Sequence, residues 1–242
     1  MATFQHGDVE LYYEDHGEGF PVFLIAPGGM RSAVSFWHDT PWNPIEQLSD
    51  RYRVIAMDQR NATGRSPGPV AADHGWETFA NDQLALLNHL GVDQFHVQGM
   101  CIGGPYIMGL IKAAPERVAS ATMFQTIGRD NNQQEFYDMF DSWATDLKPG
   151  MPDLSDADWT SFRSNMYDGD EFLFTADEAF VSSCTTPMVV LMGRDIYHPE
   201  VSSRDLARLA PNATLIEEWM HGDARTAAMS QVSDFLAANT PD

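Results

Sequence analysis

The sequence predicts an α/β fold: a mainly parallel sheet flanked by helices, with one small helical insertion. Two observations predict it. Short, continuously apolar runs alternate with stretches whose apolar residues recur at helical spacing, the pattern of parallel strands covered on both faces. That alternation then stops between residues 127 and 181, a segment rich in Asp, Trp, Phe and Met with no strand pattern. A bare loop of about 55 residues is uncommon inside a compact domain, so a mostly helical cap is expected there. The chain therefore divides into core 1–126, cap insertion 127–181 and core 182–242.

The elements follow in order. Residues 9–13 alternate as a half-exposed strand, and the glycines at 17 and 19 supply a turn into the continuously apolar strand 21–26. A short helical stretch around 45–48 precedes a buried strand at 53–57 and a Gly- and Pro-rich loop at 59–75. Residues 76–90 carry Phe79, Leu84, Leu87 and Leu90 at helical spacing and stop at Gly91. Strand 95–98, a turn at 99–101, helix 103–114 and strand 118–124 come next. After the insertion, strand 187–192, helix 200–209, strand 213–219 and helix 223–238 close the chain.

Composition narrows the function. At 242 residues and 43% hydrophobic, the chain can bury a sizeable core, and no apolar run is long enough to span a bilayer. The N-terminus lacks the basic and apolar regions of a secretory signal, so a soluble cytoplasmic protein is expected. Thirty-five acidic against fourteen basic residues give a net charge of −21, which repels phosphate backbones and argues against nucleic-acid partners. The two cysteines, Cys101 and Cys184, form no Cys-x-x-Cys, and no histidine or carboxylate cluster has ligand spacing, so no metal is expected. No Gly-rich dinucleotide loop follows the first parallel strand, so no cofactor is expected either.

The sharpest motif is Gln98-Gly99-Met100-Cys101-Ile102-Gly103-Gly104, set between an apolar strand and a helix. A small-x-nucleophile-x-small pattern there suits a tight strand-to-helix turn that lifts the central side chain above the sheet. A cysteine so placed sits at a helix N-terminus, whose positive dipole end favours a thiolate. The competing interpretation is a structural cysteine in a Gly-rich turn.

In its wider context the chain resembles the α/β-hydrolase fold family. Pro27-Gly28-Gly29-Met30 after a buried strand is similar to the family's oxyanion loop, with Pro27 where histidine is usual. Asp58-Gln59-Arg60-Asn61-Ala62-Thr63-Gly64-Arg65-Ser66 is similar to its Asp-x-Arg-Gly-x-Gly-x-Ser loop, with Asn61 in place of Gly and one extra residue before Gly64. Residues 99–103 match the nucleophile elbow, with Cys101 for serine, and Gly193-Arg194-Asp195 matches the acid loop after a late strand. His221 follows the last strand, although it precedes Gly222 where Gly-His is usual.

The resemblance implies a Cys-His-Asp triad of Cys101, His221 and Asp195, with backbone N–H groups of Ile102, Gly29 and Met30 as the oxyanion hole. His198, three residues past the acid, competes with His221 as the base, and His221 is preferred for its place after the last strand. Asp130 is the second-choice acid. Trp37 and His38, just after the oxyanion loop, are candidates to line the pocket; Asp58 and Arg60 are expected to brace a loop. The aromatic and Met residues of the insertion are expected to form its core, a few of them roofing an apolar pocket. The expected activity is hydrolysis of a small carboxylic ester, lactone or thioester through an acyl-cysteine; dienelactone hydrolases, which this elbow resembles at one residue, also use cysteine. Acyl transfer, lyase or C–C hydrolase chemistry on the same scaffold, and non-catalytic binding of a small ligand, are the alternatives. The expected partner is a small acyl substrate, with a homo-oligomer an open option.

Overall fold

The computed structural model of the chain describes residues 2–241. Its strands are β1 (Ala2–His6), β2 (Val9–His16), β3 (Pro21–Ile25), β4 (Arg53–Met57), β5 (Phe95–Met100), β6 (Val118–Phe124), β7 (Met188–Leu191) and β8 (Ala213–Ile216). They form one sheet in the order β1-β2-β4-β3-β5-β6-β7-β8. The pairs β1/β2 and β2/β4 are antiparallel, and every pair from β4/β3 to β7/β8 is parallel. The fold is that of an α/β protein with a mostly parallel sheet between helices.

β3 shows why the sheet sits at the centre. Phe23 and Ile25 join one apolar cluster with Phe95, Tyr106 and Ile107, while Val22 and Leu24 join another with Trp37, Leu48 and Val232. Each such side chain contributes roughly 1.5–3 kcal/mol when fully buried, so a strand apolar on both faces is stable only with helices on both sides. Helices α2 (Trp76–His89) and α3 (Gly103–Ala113) cover the first face; α1 (Pro44–Leu48) and α8 (Gly222–Ala238) cover the second. Helix α1 is started by Pro44 and by Asn43, whose side chain accepts the Ile45 N–H at 3.1 Å.

Between β6 and β7 lie α4 (Gln133–Leu147), α5 (Asp156–Tyr167) and the short α6 (Glu178–Ser183). Phe140 packs edge-on against Trp143 and Phe162, with ring centroids 5.3 and 5.1 Å apart. These helices do not make a separate core. Their aromatic residues belong to the same cluster as α2, α3 and the sheet, and Trp76 donates its indole N–H to Met166 O at 2.7 Å. Helix α7 (Glu200–Leu209) adds Leu206 to that cluster.

Two differences from the sequence expectation bear on the fold. β1 was not expected, because Phe4 is its one large apolar residue; it forms by pairing with β2 at the sheet edge. β8 ends at Ile216 rather than 219, and the chain then turns Trp219 into the core, where its indole N–H meets Met192 O at 2.8 Å.

Candidate active site

The turn from β5 to α3 holds Cys101 at φ +61°, in the left-handed region that costs a non-glycine residue roughly 1–2 kcal/mol. Backbone bonds fix it there: Cys101 N–H donates to Phe124 O at 3.0 Å, and Cys101 O accepts from Gly104 and Ile127 N–H at 3.1 Å each. The flanking glycines are steric necessities. A Cβ on Gly99 would stand 2.9 Å from Gly103 Cα, and one on Gly104 would overlap the Thr126 hydroxyl. Cys101 is left half-buried, with its sulfur above the C-terminal end of the sheet.

The loop after β7 brings two more polar groups to that sulfur. Asp195 Oδ1 accepts the N–H groups of Tyr197 (2.9 Å) and His198 (3.0 Å), and Asp195 Oδ2 lies 2.8 Å from His198 Nδ1. Acid and imidazole thus sit in one four-residue turn, closed by the backbone bonds between Asp195 and His198. His198 is buried, Asp195 half-exposed. His198 Nε2 has no oxygen or nitrogen partner among the described residues and is turned to Cys101. Gly193 makes room, because a Cβ there would overlap His198 Cβ.

These neighbours shift both groups in opposite directions. Burial pushes the Cys101 thiol up, but His198 and the backbone N–H groups of Gly28 and Ile102 outweigh it and hold the thiol below its ordinary range. Burial lowers His198, yet Cys101 and Asp195 together push it up to about 9. Asp195 is held below the usual carboxylate range by His198 and the two backbone N–H groups, against its own partial burial. The two shifts together favour the thiolate on Cys101 and the charged imidazole on His198.

The remaining expected residues fall as follows. Ile102 supplies one N–H that reaches the sulfur; the other comes from Gly28, one residue before the expected Gly29 and Met30. Gly28 and Gly29 have φ of +116° and +60°, the left-handed region that favours glycine. Met30 is buried, and its sulfur accepts the Tyr167 hydroxyl at 3.6 Å. His221 is not brought to the site: it is exposed at the start of α8, because the post-β8 loop spends its inward position on Trp219. Trp37 lies fully buried in the core beneath, and His38 is exposed with Nδ1 3.3 Å from Asn43 Nδ2, so neither lines the site. Asp130 is exposed and bonds Asn131 rather than a histidine. Asp58 braces a loop through Val34 N–H, Thr63 and a two-pronged contact with Arg65, and Arg60 does the same with buried Asp82. Cys184 is a buried free thiol.

Over the site lie residues of the insertion. Met139 of α4 covers Gly29 so closely that a Cβ on Gly29 would strike its sulfur. Tyr167 and Tyr197 are near enough to Cys101 for its charge to raise their phenols, after burial has already done so. Phe136 stacks on Tyr167 at 5.5 Å and meets Tyr197 edge-on at 5.9 Å. Sequence reasoning missed Tyr197 altogether, and it named Gly28 and Gly193 only as motif positions, without the contacts they make here. The Gly-Gly pair was the available signal for Gly28, and its place before Arg194-Asp195 for Gly193. No cluster of three or more potential metal ligands occurs among the described residues, and none of their helices is long and apolar enough to cross a membrane.

Comparison with known proteins gives a consistent frame. A family model described as alpha/beta hydrolase fold matches residues 21–163. A protein of Azorhizobium caulinodans named "Putative carbamate hydrolase RutD" is 40% identical over 125 residues, 51% of this chain and 43% of that protein. A Mycobacterium tuberculosis protein named "Putative non-heme bromoperoxidase BpoC" is 30% identical over 62% of this chain and 54% of its own length. The chain thus matches about half the length of these curated relatives. Among solved structures, the meta-cleavage product hydrolase CumD of Pseudomonas fluorescens superposes with a TM-score of 0.72 at 19% identity, covering 99% of this chain and 98% of that one, a likeness of fold.

Proposed function

This chain belongs to the alpha/beta hydrolase fold family, and on that premise we propose that it hydrolyses a small carboxylic ester, lactone or thioester through an acyl-cysteine, with Cys101, His198 and Asp195 as its triad. The observation that carries the proposal is the single polar line Asp195–His198–Cys101, whose neighbours favour the charged imidazole and the thiolate.

In the first half-reaction the Cys101 thiolate attacks the carbonyl carbon, forming the C–S bond and placing negative charge on the carbonyl oxygen. The N–H groups of Gly28 and Ile102 stabilise that oxyanion; losing one such donor costs about 2.7–4 kcal/mol in the barrier. Collapse expels the leaving alkoxide or thiolate, which takes the His198 Nε2 proton. In the second, neutral His198 takes a proton from water as its oxygen attacks the thioester carbonyl. The tetrahedral intermediate then expels the Cys101 thiolate and releases the acid, leaving the imidazolium restored. Asp195 holds the Nδ1–H tautomer and stabilises the charged ring throughout.

The roof of Met139, Phe136, Tyr167 and Tyr197 suits a small, largely apolar acyl group. A carbamate presents a carbonyl to the same nucleophile, and the name of the 40% identical relative makes that class worth including in a screen. Intact-protein mass spectrometry after brief mixing with p-nitrophenyl acetate, with p-nitrophenol release followed in parallel, tests the proposal. An acetyl mass on Cys101, with turnover lost in Cys101→Ala and His198→Ala, is the expected result. An unmodified Cys101 with release at the background rate would count against it and favour a ligand-binding role for the pocket.

A further inference from the structure

We infer that Asn132 is a positioning residue for the base: its amide holds the Asp195–His198 turn over Cys101 and couples that turn to the start of the insertion. The inference rests on the Cys101–His198 pairing proposed above.

The bonds within the turn fix its shape and leave its placement open. Asp195 and His198 bond to one another through backbone and side chain, and the Ile196 side chain between them is exposed, giving the turn no apolar anchor of its own there. Apart from the Cys101–His198 pairing itself, the hydrogen bond that reaches residues 195–198 from elsewhere among the described residues comes from Asn132. Its Nδ2 donates to Ile196 O at 2.6 Å and to Gly128 O at 3.0 Å, while its Oδ1 accepts the Asp130 N–H at 3.0 Å. All three of those partners are backbone groups, and Asn132 itself is buried. The neighbouring strand-end is packed to match, since a Cβ on Gly128 would overlap the Ser202 hydroxyl at the start of α7.

Asn132 forgoes a local use of its side chain to do this. It is the N-cap of α4, a position where an Asn oxygen normally accepts an N–H of the first turn for about 1 kcal/mol of helix stability. Its side chain makes no such bond. The amide is directed instead into the loop that carries the base. Helix α4 also carries Phe136 and Met139 over the site, so one residue sets both the roof and the imidazole. The titratable groups facing the pair are Asp195, Tyr167 and Tyr197, and none of them replaces the tie to Ile196.

The test uses Asn132→Ser and Asn132→Asp. Both residue types cap helices well, so α4 is retained, and neither can donate an amide proton to Ile196 O. Cys101 alkylation by iodoacetamide is followed against pH by peptide mass, which separates it from Cys184. The expected result is that both variants shift the half-maximal pH of alkylation upward by about one unit, a roughly tenfold loss of thiolate on the acid side. With p-nitrophenyl acetate, kcat falls about tenfold while KM stays within about twofold. The variants differ in charge, so a shift common to both reports the lost donor. An unchanged alkylation profile in both variants overturns the inference, whatever happens to their melting temperature. Should the wild type alkylate at low pH without hydrolysing esters, the hydrolase proposal fails alone, and the alkylation shift still decides the role of Asn132.

Discussion

The loops that follow β7 and β8 each carry one histidine near the C-terminal end of the sheet, and they use it in opposite ways. After β7, four residues fold back on themselves, Asp195 binds the imidazole, and His198 is buried against Cys101. After β8, the inward position goes to Trp219, whose indole N–H bonds Met192 O, and His221 is left exposed as the cap of α8. The two loops differ in what each buries. A histidine becomes a base through a carboxylate on Nδ1 and a nucleophile at Nε2, and order along the chain supplies neither.

That contrast is open to direct attack, beginning with the largest effects. Replacing Cys101 with Ala removes the nucleophile and should reduce ester turnover by about 10^4-fold or more, as nucleophile losses do in other triads. His198→Ala should approach the same loss, whereas His221→Ala should stay within about twofold; steady-state kinetics on one ester compares all three. Gly193→Ala forces a Cβ into the space of His198 and should lower kcat by roughly 10²-fold through misplacement of the ring, with the fold retained by circular dichroism.

The pH profile sharpens the comparison further. Cys101 titrates below the ordinary thiol and His198 near 9, so both working forms coexist between those limits. Below the lower limit the thiolate is protonated and the rate falls. Above about 9 the imidazolium loses the proton that the leaving group needs, and the rate falls again. The alkaline limb should therefore lie near pH 9 and should survive His221→Ala. The smallest effect expected is on stability alone: Gly104→Ala should cost about 1–3 kcal/mol by overlap with Thr126, read as a lower urea midpoint.

Most of the fold was legible because it is written locally. β3 and β4 are apolar on both faces, α2 carries its helical stripe and stops at a glycine, and each follows from a window of a few residues. β1 was not legible, since Phe4 is the one large apolar residue of Ala2–His6, which becomes a strand by pairing with β2. The elbow was legible for the same reason as β3: the glycines that Cys101 needs at φ +61° stand next to it in sequence. The base was not. Both candidate histidines were visible, and choosing between them depends on Trp219 filling the core, a contact between distant segments. The loop N–H that meets the Cys101 sulfur belongs to Gly28, one residue before the expected Gly29, a difference that a motif which only counts residues does not carry. The role inferred for Asn132 was equally out of sight, resting on a bond to Ile196 across 64 residues of chain.

The most direct test of the central claim is the rate of Cys101 alkylation by iodoacetamide as a function of pH, in the wild type and in His198→Ala and His221→Ala. The Cys101–His198 pair predicts that the wild type and His221→Ala react alike, with a thiolate formed below the ordinary thiol range. It predicts that His198→Ala moves that onset upward. A His198→Ala profile that overlays the wild type, or a shift confined to His221→Ala, would contradict the pairing and return the base to the loop after β8.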